Sequence, residues 1–119
     1  MASIIAEFSY WSYGEYSKSA MLPRPEVNAS DVESIARRYA VRVEVKQVSP
    51  RFFMLGRIPS RYRKTSLKVM GESANEVRSC VREIILLYGR PDEVPFSFST
   101  ARRAGRTIIQ SLLKDYPGR

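Results

Sequence analysis

The sequence contains no histidine and a single cysteine, Cys80. Without histidine, imidazole-activated serine or cysteine nucleophiles and histidine-ligated metal centres are excluded. One cysteine excludes an intrachain disulfide and a cysteine-rich zinc site. Side-chain amides are scarce as well: Asn28, Asn75, Gln47 and Gln110 are the four in the chain. Depletion of thermolabile amides is what a hot environment selects, so a thermophilic source is expected. The longest aliphatic run, Ile84-Ile85-Leu86-Leu87, is far short of the roughly 20 residues of a membrane-spanning helix. Met1–Glu7 has no basic segment ahead of an apolar one, so neither a secretory leader nor a membrane partner is expected. The expected location is the cytoplasm.

Acidic residues are nearly missing from one stretch. Residues 37–68 carry ten basic groups and one acid, Glu44, so this one continuous block holds the whole excess behind the net charge of +8 and the rest of the chain is slightly acidic. A concentrated excess makes a positive field that recruits polyanions, whereas a scattered one mainly aids solubility. The cations are fifteen Arg against five Lys. Arg is the side chain that phosphate and base-stacking contacts favour. With 119 residues and 44% apolar composition the chain can build one domain with a real core.

Hydrophobic periodicity places the elements. Ala6, Phe8 and Tyr10 alternate with polar residues as in a half-buried strand, with Trp11 and Tyr13 on the opposite parity. Ser30-Asp31-Val32-Glu33 has the form of a capping box and predicts a short helix to about residue 40. Val41–Val48 is the clearest strand, Val41, Val43 and Val45 pointing one way and Arg42, Glu44 and Lys46 the other. Arg51–Ile58 reads as a second strand and Tyr62–Met70 as a third, which together predict an antiparallel meander. A second capping box, Ser73–Glu76, opens a helix striped by Val77, Cys80, Val81, Ile84 and Tyr88 and closed at Gly89. A final helix is expected over 99–115. The predicted fold class is therefore α+β: an antiparallel sheet of three to four strands, helices packed on one face, and an open basic and aromatic face. The apolar arc of Ile109, Leu112, Leu113 and Tyr116 is wider than one sheet face needs, which gives the last helix a role in homo-oligomerisation.

That open face carries the candidate site. Arg42, Lys46, Lys64 and Lys68 share it with Arg51, Arg57, Phe53 and Tyr62 if the middle strand follows the same parity. Arg61 and Arg63 adjoin it, and Trp11 and Tyr13 extend its aromatic part. Cations neutralise phosphates and release counterions, while flat side chains stack on unpaired bases. Neither contact needs a particular base, so single-stranded nucleic acid, DNA ahead of RNA, is the expected partner. The plainer alternative is a solvated sheet face whose Arg and Lys stems cover apolar neighbours. Arg102, Arg103 and Arg106 sit in the first turns of the last helix, where the macrodipole disfavours cations. Either a phosphate or simple screening offsets that cost. Arg37 and Arg38 close their helix, where the dipole favours them.

Asp31, Glu44 and Lys46 have the residue types of the Asp…Glu-x-Lys arrangement in metal-dependent nucleases, where carboxylates hold Mg²⁺ and the Lys orients water. Those nucleases carry the Asp on a strand, whereas Asp31 opens a helix. Glu-x-Lys also arises from alternation in any charged strand. A non-enzymatic protein with no cofactor and no metal is expected.

The order of elements resembles the ThermoDBP-related family of archaeal single-stranded-DNA-binding proteins. The shared pattern is an aromatic N-terminal stretch, a short helix, an antiparallel basic sheet and C-terminal helices. The resemblance implies a cleft on the sheet, lined by apolar and aromatic side chains and rimmed by basic ones, that binds single-stranded DNA without sequence preference. It also implies association through C-terminal elements. The site residues named above rest on parity and charge alone. The alternatives are an RNA- or ribosome-associated module and a protein-interaction module docking an acidic partner.

Overall fold

A computed structural model describes residues 3–12, 27–48 and 63–115. These form β1 (Ile4–Ser12), α1 (Ala29–Arg37), β2 (Val41–Val48), β3 (Arg63–Gly71), α2 (Ala74–Tyr88) and α3 (Thr100–Lys114). The strands make one antiparallel sheet in the order β1-β3-β2, an α+β fold. The expected meander is corrected here. β2 pairs directly with β3, from Val41↔Gly71 to Val48↔Lys64, whereas the meander expected a further strand, 51–58, between them. That segment is outside the described residues. Strand propensity reads local sequence, but which strands pair depends on faces that match across the chain, and both strands present one apolar and one charged parity.

The alternate residues Ala6, Phe8 and Tyr10 of β1 and Thr65, Leu67 and Val69 of β3 are buried. α2 lies over them with Val77, Cys80, Val81, Ile84 and Ile85, all buried as well. Each fully buried Phe, Leu, Ile or Val among them contributes about 1.5–3 kcal/mol relative to exposure. Val41, Val43 and Val45 of β2 pack at the margin of this core and remain half-buried. Burial pushes the Cys80 thiol up to about 11, as befits a small hydrophobe inside a helix stripe.

The helix ends partly follow the predicted caps. The N-cap of α1 is Asn28, two residues before the expected Ser30: its Oδ1 accepts from the N–H groups of Ser30 at 2.8 Å and Asp31 at 3.4 Å. Asn and Ser are equally good caps, and the apolar Val27 just before Asn28 is buried, which sets the entry two residues earlier. Ser73 caps α2 by accepting from Glu76 N–H, but the Glu76 carboxylate turns away and accepts from Ala40 N–H at 3.4 Å, tying α2 to the start of β2. Gly89 ends α2 with φ +92°, a conformation that L side chains rarely adopt, and its carbonyl accepts the Tyr10 hydroxyl at 2.7 Å.

α3 runs along β1. A side chain at Gly105 would put its Cβ 2.0 Å from the Ile5 carbonyl oxygen, so the helix approaches the strand edge as only glycine permits. Ile108, Ile109 and Leu112 are buried, and α3 contacts α2 as well as β1. Ile109 and Leu112 of the expected arc therefore pack within the chain and Leu113 is half-buried, while Tyr116 lies outside the described residues.

Candidate functional site

The face of the sheet opposite α2 is made by the other parity, and its register is explicit. In the rows running β2–β3–β1, Met70 stands between Arg42 and Ile5, Lys68 between Glu44 and Glu7, Ser66 between Lys46 and Ser9, and Lys64 between Val48 and Trp11. Arg42 and Lys46 are exposed, and Lys64, Lys68 and Trp11 are half-buried. Five of the predicted site residues therefore share one face, because β-strand side chains alternate and all three strands keep the same phase. Arg63 opens β3 opposite Ser12, one position before Lys64 in the register. Arg51, Phe53, Arg57, Arg61, Tyr62 and Tyr13 lie outside the described residues.

Acids interleave with these cations more closely than the charge count implies. Lys64 Nζ is 2.8 Å from Glu93 Oε1 and 5.3 Å from the centre of the Trp11 ring, so this ammonium sits between a carboxylate and an indole face. Lys68 Nζ is 3.9 Å from Glu44 Oε1. Arg42 and Lys46 have no ion-pair partner among the described residues. Sequence reading missed Glu93, which is 29 positions from Lys64 in the chain. Residues 92–93 reach it by pairing with the free edge of β1: Ser9 N–H donates to the Glu93 carbonyl at 2.9 Å, Asp92 N–H donates to the Ser9 carbonyl at 2.9 Å, and Trp11 N–H donates to Asp92 Oδ2 at 2.7 Å.

The same edge leads to a second group of cations. Arg102 Nε lies 3.3 Å from Glu7 Oε1, although its N–H is not aimed at that oxygen and is left without a hydrogen bond. One turn on, the Arg106 guanidinium carbon is 5.3 Å from the centre of the Phe96 ring. Arg103 donates from NH2 to the Phe98 carbonyl at 3.4 Å. Glu7 supplies negative charge at this end of α3, where the macrodipole favours it, and the Phe98 carbonyl supplies a hydrogen-bond acceptor. Phe96 and Phe98 themselves were not predicted. The available signal was Phe96-Ser97-Phe98, an alternating aromatic pair directly ahead of three arginines.

Other clusters divide differently. Arg38 forms an ion pair with Glu83 at 2.6 Å, and the Tyr39 hydroxyl donates to the other oxygen of the same carboxylate, which raises Tyr39 above the ordinary phenol range. Both belong to the α1–α2 seam. Asp31 lines the groove along that seam, whereas Glu44 and Lys46 point from the opposite face of the sheet, so the nuclease-like trio is not assembled. Among the described residues no group of three acidic or sulfur ligands is placed to hold a metal ion, and no helix is long and apolar enough to cross a membrane. No family model matches the chain, and no curated protein and no solved structure matches it.

Proposed function

We propose that this protein is a non-enzymatic, cytoplasmic binder of single-stranded DNA that takes the strand across the open face of its sheet, without base preference and as a homo-oligomer. What carries the reading is the convergence of Arg42, Lys46, Lys64 and Lys68 with the Trp11 indole on one face. Phosphates compete with Glu44 and Glu93 for Lys68 and Lys64, while Arg42 and Lys46 meet them directly. Arg51, Arg57 and Arg61, between β2 and β3 in the chain, add to the same positive field. The resemblance of the element order in the sequence to ThermoDBP-related archaeal proteins favours the same reading, including a thermophilic source.

The test is fluorescence anisotropy of a labelled single-stranded oligonucleotide at several salt concentrations, with duplex and RNA competitors and light scattering to give the mass of the bound species. Micromolar or tighter binding that favours single strands and falls with salt is expected. Arg42→Ala and Lys46→Ala should each reduce the salt slope by about one unit and weaken all sequences alike. Equal affinity for duplex reduces the face to a charged patch. Preference for RNA transfers the function to an RNA-associated module that reads the 2′-hydroxyl, and absence of binding at low salt transfers it to an acidic protein partner.

A further inference from the structure

Phe96 and Phe98 are 63% and 82% exposed. Such rings are normally buried, and hiding each would be favourable, yet their positions are held rather than left to the solvent. The rings meet edge to face with centres 5.1 Å apart. The Arg106 guanidinium lies over Phe96, and Arg103 donates to the Phe98 carbonyl, so two arginines of one helix contact the pair. Pro95 restricts the backbone just before them. Prearranged rings lose little entropy when a flat ligand settles on them.

The surroundings select the ligand. Arg102, Arg103 and Arg106 make this the cationic end of α3, and no acidic residue falls within its first turn. An exposed aromatic pair set in arginines is suited to a base and its phosphate, since every base has a π-face and the guanidinium groups take the backbone charge. A contact path joins the pair to the sheet: Phe96 to Arg106, one turn along α3 to Arg102, then Glu7, which stands beside Lys68 in the register.

We propose that Phe96 and Phe98, backed by Arg103 and Arg106, form a second stacking platform that holds an unpaired base of the same single strand beyond the edge of β1. This rests on the single-strand reading above and adds a site to it. Phe98→Ala removes a ring that touches little of the core, so circular dichroism and Tm should match the parent. Its affinity for an oligothymidylate should fall about five- to hundred-fold with the salt slope unchanged. An abasic strand of equal length should bind parent and variant alike. Arg103→Ala should instead lower the salt slope by about one unit. With a 5-iodouracil strand, photo-crosslinks should map to Phe96 or Phe98.

Unchanged oligothymidylate affinity in Phe98→Ala, with the parent still binding and responding to Arg42→Ala, overturns the platform and leaves the sheet-face reading intact. Failure of the parent to bind any single strand overturns both. Conversion of a parent dimer into a monomer by Phe98→Ala assigns the pair to self-association and overturns the platform as well.

Discussion

The two faces of the sheet are built from alternate residues of the same three strands, yet they obey different rules. Phe8 and Glu7 are neighbours in the chain; Phe8 is fully buried under α2, whereas Glu7 lies across the sheet beside Lys68 and 3.3 Å from Arg102. On the covered face shape decides, because α2 and the strands interlock and a lost methylene leaves a cavity. On the open face charge decides, and its ion pairs are half-exposed and individually weak. A surface of that second kind tolerates change in its residues without unfolding, which is what a binding face requires.

The comparison is most severely tested at Phe8. Phe8→Ala should cost about 3–5 kcal/mol in denaturant unfolding, the usual cost of emptying a buried aromatic site. A loss under about 1 kcal/mol would mean that the covered face is not the core. Next comes Gly105→Ala, whose Cβ would meet the Ile5 carbonyl. Overpacking against backbone should cost about 3 kcal/mol, and hydrogen exchange should show β1 and α3 loosening together. Tyr10→Phe removes the hydroxyl that donates to the Gly89 carbonyl and should cost about 1 kcal/mol by thermal unfolding. Smallest is Glu7→Gln, expected to change stability by less than about 1 kcal/mol. If Glu7→Gln cost as much as Tyr10→Phe, the open face would be a structural surface and the contrast between the faces would dissolve.

Much of this was legible in the residues. The burial of Phe8, Leu67 and Val69, the exposure of Arg42 and Lys46 and the burial of Cys80 all follow from periods of two and of 3.6, which are properties of the backbone and hold wherever an element packs. The α2 caps at Ser73 and Gly89 were readable for the same reason, as each satisfies groups within a few positions. The α1 start was not, because Asn28 and Ser30 are both competent caps and the burial of Val27 is a contact with the rest of the molecule.

What escaped sequence reading has one cause. Pairing of β2 with β3, the salt bridge from Lys64 to Glu93, the glycine-only approach of α3 to Ile5 and the seating of Phe96 on Arg106 all join positions with no local relation. A strand's pattern states that one side must be hidden and the other wetted, and is silent about which neighbour supplies the cover. Alternation therefore put Arg42, Lys46, Lys64, Lys68 and Trp11 on one face from the chain alone. How far that charge is neutralised, and which aromatic rings stand at its rim, depended on the strand order β1-β3-β2 and on the α3 path along β1, since carboxylates and rings act only over a few ångströms once the fold has brought them there.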